Sequence, residues 1–191
     1  MNHKTIIKLK PKTLQNAASG AKEVLETTQS KLGFIPNLYG NMANSPGALS
    51  TYALGYGQFR EHSGFTPAEQ EIVFLTISKE NGCGYCVAAH SMVAEKMSGV
   101  PSQAVNAIRN GEIIQDTKLA ALSIFTRRLL QSRGLPIDSE IKEFLQAGYK
   151  EEQILEIVLA IAVKTISNYT NHLFNTPIDS AFASYALNEG Q

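Results

Sequence analysis

Apolar residues recur along most of this chain at intervals of three and four, with polar residues between them, and that spacing predicts a succession of helices. Thr5 to Lys10, TIIKLK, reads as a short extended stretch ended by Pro11, within an N-terminal arm over roughly residues 1–15. Ala18, Ala21, Val24, Leu25 and Leu32 form the apolar face of a helix from Asn16 to Leu32, which Gly33 is placed to end. In KLGFIPNLYGNMANSPGALS, Pro36 and Pro46 can each open a helical turn, Ser45 can cap the second, and a helix over Leu49 to Phe59 follows.

The clearest boundary is Thr66-Pro67-Ala68-Glu69: a hydroxyl cap, a proline at the first helical position and an acid at the third. The helix PAEQEIVFLTISKEN carries Ile72, Val73, Leu75 and Ile77 to a turn at Asn81 and Gly82. A second helix starts at once with CGYCVAAH and runs to around Met97, ahead of Pro101. Ser102 to Arg109 is a short helix ended near Gly111, Asp116 caps a longer one closed by Gly134, and Asp138 opens IKEFLQAG. Lys150 to Phe174 gives the longest apolar helix, and a short tail begins at Pro177 and Asp179. About eight helices and no convincing strand pair predict an all-α domain. Gln70–Ile77 and Leu155–Val163 share Glu-Ile-Val, an echo that a duplication or coincidence would equally produce.

With 43% hydrophobic residues among 191, the chain can bury a real core, and one all-helical domain over residues 1–191 is expected. Lys plus Arg and Asp plus Glu stand at 17 each, so no electrostatic footprint suggests nucleic acid or an anionic membrane, while the near-zero net charge favours self-association. MNHKTIIKLKPKTLQN holds no apolar run of signal-peptide length and no segment approaches a membrane span, so a cytoplasmic location is the default. There a lone CxxC is more often catalytic or metal-binding than a structural staple.

The candidate chemistry lies in that CxxC. Cys83 and Cys86 are the only cysteines, and His90 follows one helical turn beyond the second. On a helix Cys86 sits about 60° and His90 about 20° from Cys83 around the axis, so the three share a face and Tyr85 points away. A thiol near a helix N-terminus feels the positive end of the dipole, and a nearby imidazole can take its proton. A second thiol three residues away can then resolve a sulfenic acid or close a disulfide. With the hinge at Asn81 and Gly82, Glu71 lies about 16 Å of helix before it and His90 about 12 Å after, so antiparallel helices bring them within one turn of each other. The expected relay therefore runs Cys86, His90, Glu71. Proximity to His90 favours Cys86 as the attacking thiol, whereas position at the helix N-terminus favours Cys83.

Glu71, Cys83, Cys86 and His90, in the pattern E(x11)CxxCxxxH, resemble the core motif of the alkylhydroperoxidase D and carboxymuconolactone decarboxylase superfamily. KLGFIPNLYGNMANSP and ISNYTNHLFNTPID look like its branch of peroxidase-related proteins, and the resemblance extends from about Leu32 to Phe182. It implies an all-helical fold with the thiols on a helical hairpin, a homo-oligomer such as a trimer or hexamer, and a thiol peroxidase acting on organic hydroperoxides with an external thiol reductant. In that resemblance Cys86 is the peroxide-reactive thiol, Cys83 the resolving partner and proton donor, and His90 with Glu71 the proton relay. One departure matters: alkylhydroperoxidase D enzymes carry a histidine where this chain has Tyr85. The decarboxylases of the superfamily do not depend on a cysteine pair, so the pair here argues against their activity.

Two other readings use the same residues. Cys83, Cys86, His90 and Glu71 are of the right types to bind zinc, although a compact zinc site usually takes its second pair from another element. A helical scaffold or ligand-binding module with vestigial thiols is the other. His172 with Asn168 and Asn171 could line a substrate pocket beside the thiol hairpin, and Phe34, Tyr39 and Phe59 could wall an apolar entrance, with a subunit contact or solvated edge and core packing as their commoner roles. His3 and His62 have no partner visible in the sequence. No phosphate loop or nucleotide fingerprint appears, so no cofactor is expected.

Overall fold

The structure, a computed structural model, describes residues 7–187. Among them are nine α-helices and no strand: α1 (Ser19–Leu32), α2 (Asn37–Met42), α3 (Pro46–His62), α4 (Pro67–Glu80), α5 (Gly84–Lys96), α6 (Ser102–Asn110), α7 (Thr117–Gln131), α8 (Asp138–Gln146) and α9 (Glu151–Phe174). A 3-10 segment, Ser180–Tyr185, follows α9. Thr5 and Ile6 of the expected extended arm lie outside the described residues, and residues 7–12 are free of helix. Lys12 N donates to Gly40 O at 2.8 Å, which ties that arm to α2.

The middle of the molecule is the helix with the least one-sided pattern. Every residue of α4 from Glu69 to Ser78 is buried, and Ile72, Val73, Phe74, Leu75 and Ile77 are buried completely. A helix apolar on all sides must be surrounded, and α4 is packed by α5, α6, α7 and α9. Burying each of those five side chains contributes about 1.5–3 kcal/mol. Aromatic rings extend this core: Phe74 stacks on Tyr56 at 5.2 Å and meets Phe59 at 4.6 Å.

Local signals place the ends. Thr66 and Glu69 form a reciprocal capping box, Ser45 caps α3 through Ala48 N, and Asp116 caps α7 through Leu119 N. α1 begins three residues later than its apolar spacing predicts, because Asn16 turns its side chain back to accept from Thr13 N at 2.8 Å and so closes a turn. Leu32, expected on the inner face, is exposed at the last position of α1. α3 crosses α9 closely at Gly55, where a Cβ would stand 2.6 Å from Val163 Cγ1, so only glycine fits. The tail returns over α5: Tyr85 OH donates to Asp179 Oδ2 at 2.5 Å, Phe182 packs edge-on against the Tyr85 ring, and Arg109 Nη1 holds Tyr185 O at 2.9 Å.

Candidate active site

The turn between α4 and α5 sets the thiols. Asn81 ends α4, Gly82 takes a left-handed φ of 66°, and Cys83 N donates back to Ser78 O at 2.9 Å. Cys83 is thereby the N-cap residue of α5 and Cys86 its third residue, so both sulfurs lie in the first turn and both feel the helix dipole. Neither is exposed beyond 2%. The hinge is also fastened to α9, since Asn81 Nδ2 donates to Asn168 Oδ1 at 2.9 Å.

α9 then separates the two thiols chemically. Its buried stripe includes Ile157, Ala160, Lys164, Asn168 and Asn171, residues that share one face at helical spacing. Asn171 Nδ2 donates to Cys86 Sγ at 3.3 Å and lies 3.7 Å from Cys83 Sγ. Lys164 is 1% exposed, and its Nζ donates to His90 Nε2 at 2.9 Å. On the other side of the ring His90 Nδ1 donates to Glu71 Oε2 at 2.8 Å. Glu71 is fully buried and accepts a second charge-assisted bond from Arg60 Nη2, which also donates to Tyr56 OH at 2.6 Å. The Arg60 guanidinium lies 4.8 Å above both the Tyr56 and Phe74 rings.

The electrostatics follow from these contacts. Burial and then the Lys164 ammonium push the His90 pKa below its ordinary value despite Glu71, so the ring is neutral near pH 7, with its proton on Nδ1. Burial would raise the Glu71 carboxyl, but the His90 hydrogen bond and the Arg60 charge outweigh it and hold the pKa low. Cys83 and Cys86 move apart. Burial opposes ionisation of Cys86, yet the Cys83 hydrogen bond, the Lys164 charge and its hydrogen bond to the sulfur prevail, and Cys86 is drawn well below an ordinary thiol. Cys83, which donates to Cys86, is pushed up by that bond first and by burial second. The centre is thus charge-balanced, with Cys86 thiolate against Lys164 and Glu71 against Arg60, and neutral His90 between them.

The structure brings Cys83, Cys86, His90 and Glu71 together, with one change to the expected chain of contacts. His90 Nε2 faces Lys164, and Lys164 stands between the imidazole and the thiolate. Both ring nitrogens are therefore engaged, and among the described residues no group of three or more His, Cys, Asp or Glu side chains could hold a metal ion. Tyr85 does point away from the thiols, toward Asp179. Asn168 and Asn171 are buried beside the hinge and thiols, but His172 is exposed and stacks on Tyr169, so the three do not line one pocket. Phe59 is a core residue, while Phe34 and Tyr39 are half-buried. His62 is exposed beside Glu61, and His3 lies outside the described residues. Lys164 and Arg60 are the groups that the sequence does not single out, whereas Asn171 lies beside the thiols as expected. The signal for Lys164 was a single cation at i+7 from Ile157, on the stripe that faces the core.

Residues 48–127, which contain Glu71, Cys83, Cys86 and His90, match the carboxymuconolactone decarboxylase family. The fold is similar to the alkylhydroperoxidase AhpD core of an uncharacterized peroxidase-related protein from Ralstonia eutropha JMP134, with 18% identity, 92% of this chain and 93% of that one covered, and a TM-score of 0.81. A peroxidase-related protein from Silicibacter sp. TM1040 aligns at 18% identity over 93% and 97% of the two chains, TM-score 0.75. The debrominase Bmp8 in its apo form also aligns at 18% identity, over 95% and 97%, TM-score 0.75. No curated protein sequence matches the chain. Over most of their length these solved structures share the all-α fold of this chain. No helix among the described residues is long and apolar enough to cross a membrane.

Proposed function

We propose that the protein is a thiol-dependent oxidoreductase that reduces organic hydroperoxides through Cys86 and Cys83. The supporting observation is the asymmetry of the pair: Cys86 accepts from Asn171 and is drawn toward thiolate by Cys83 and Lys164, while Cys83 keeps its proton. Attack on the outer peroxide oxygen gives a sulfenic acid on Cys86 and releases an alcohol. Cys83 displaces hydroxide from that sulfur, which leaves as water, and the disulfide is reopened by an external dithiol. His90, held by Glu71, positions Lys164 at the thiolate. The homo-oligomer belongs to this reading as well, with the exposed row Leu155, Val158, Tyr169 and Leu173 on α9 available for a second copy.

Peroxide consumption by the dithiol-reduced protein tests it, with thiols followed by mass spectrometry. One equivalent of hydroperoxide lost per intramolecular disulfide, and a sulfenic acid trapped on Cys86 in Cys83→Ser, are expected. Thiols that survive peroxide unchanged would contradict the assignment. Bmp8 was also crystallised, as a variant, with 2,3,4-tribromopyrrole. Bromide release from that compound by the reduced protein, without peroxide consumption, would replace the substrate class and keep the dithiol.

A further inference from the structure

We propose that Lys164 is the acid that protonates the oxygen leaving a hydroperoxide as Cys86 attacks it, an inference that rests on the thiol reading above.

With the Cys83 proton reserved for the second step, where it leaves in water, the hydrogen-bond directions single out Lys164. His90 has one proton, on Nδ1, committed to Glu71 Oε2, and its Nε2 accepts from Lys164, so the ring presents no proton to the thiol side. The Tyr85 hydroxyl donates to Asp179, away from the sulfurs. Asn171 offers amide hydrogen bonds but no transferable proton. Tyr52 and Tyr56 face the same region, and burial pushes both phenols up, which makes them poor acids. Lys164 Nζ has three N–H groups: one goes to His90, and the ammonium lies near enough to Cys86 to draw it toward thiolate, so protons not used by His90 stand close to the attacking sulfur.

Charge balance points the same way. In the first step an S–O bond forms, the O–O bond breaks, and the alkoxide takes a proton from Lys164. Cys86 thiolate and Lys164 ammonium become sulfenic acid and amine, so the buried centre loses one anion and one cation together. In the second step Cys83 attacks the sulfenic sulfur, the S–S bond forms and the S–O bond breaks. Hydroxide departs with the Cys83 proton as water, again with no change in net charge. Reduction of the disulfide by an external dithiol, which is itself oxidised, returns two thiols, and Cys86 passes its proton to the Lys164 amine. Without this transfer a lysine that is 1% exposed would face a neutral disulfide as an uncompensated cation.

The leaving group provides the test. An alkyl hydroperoxide expels an alkoxide that needs a proton, whereas peracetic acid expels a carboxylate that does not. Single-turnover rates of wild type, Lys164→Met and Lys164→Arg would be measured with tert-butyl hydroperoxide and with peracetic acid, each divided by the thiolate fraction read from ultraviolet absorbance. Lys164→Met should lose about 100-fold or more per thiolate on the alkyl hydroperoxide and less than about 5-fold on the peracid, and Lys164→Arg, which keeps the charge but does not give up its proton, should stay close to Lys164→Met on the alkyl hydroperoxide. Equal loss on both oxidants would overturn the proposal and leave Lys164 as a counter-ion only. A wild type inert to both would overturn the thiol reading itself, and this proposal with it. Circular dichroism of each variant separates these results from misfolding.

Discussion

α4 and α9 share Glu-Ile-Val, and the same three residues meet opposite fates. In α4, Glu71 is fully buried between His90 and Arg60, and Ile72 and Val73 are both fully buried. In α9, Ile157 is fully buried, but Val158 is 46% exposed, and Glu156 has one buried oxygen, Oε2, with no hydrogen-bond partner. α4 is enclosed by α5, α6, α7 and α9 and by side chains of α3, so its polar residues must be paired and the pairing becomes part of the site. α9 keeps one face outward and turns only a stripe inward, and that stripe carries Lys164, Asn168 and Asn171. One helix supplies the buried anion, the other the buried cation and the amide that holds the thiols.

Matched substitutions can break this comparison. Glu71→Gln leaves Arg60 facing no anion in the core and should cost about 3 kcal/mol, whereas Glu156→Gln should change stability by less than about 0.5 kcal/mol. Urea denaturation of the two variants reads the difference. The Glu71 effect should also depend on pH. The folded pKa values of Glu71 and His90 lie below their ordinary 4.5 and 6.5, so the unfolded chain binds more protons between each pair of values. The contribution of these two groups is then full above pH 6.5, falls as His90 is driven to take a proton, and falls further below 4.5 as Glu71 does. In Glu71→Gln the loss below 4.5 should flatten, while wild type steepens there.

Smaller effects sharpen the same contrast. Val73→Ala opens a cavity in the enclosed helix and should cost about 2 kcal/mol, while Val158→Ala should stay below about 0.5 kcal/mol, both from denaturation midpoints. Tyr85→Phe removes the bond to Asp179 without touching the thiols. It should cost about 1 kcal/mol and leave the Cys86 ionisation where it was, as read by thiolate absorbance.

Much of α4 and α5 was legible because the information is local. The capping box at Thr66 and Glu69, the turn at Asn81 and Gly82, and helical spacing suffice to bring Glu71 within reach of His90. Arg60 and Lys164 were not legible in that way. Arg60 belongs to the preceding helix and Lys164 to a helix 74 residues beyond His90, so only tertiary packing brings them to the site. The polar face at Asn168 and Asn171 also resembles an ordinary solvated edge, and nothing in their spacing tells which side of α9 faces inward. His172, one residue on from Asn171, is on the outer side. Tyr85 was read correctly as pointing away, but its partner Asp179 lies in the tail, which the apolar pattern does not predict.

The Cys83 hydrogen bond and the Lys164 charge from α9 together make Cys86 a thiolate and leave Cys83 protonated. Ultraviolet thiolate absorbance of the reduced protein against pH, beside Cys86→Ser, tests it without requiring reagent access to buried sulfur. One thiolate step well below the ordinary cysteine value, near 9.0, is expected, and it should be absent from Cys86→Ser. A reduced wild type with no step below that value, or with a low step that survives in Cys86→Ser, would contradict it.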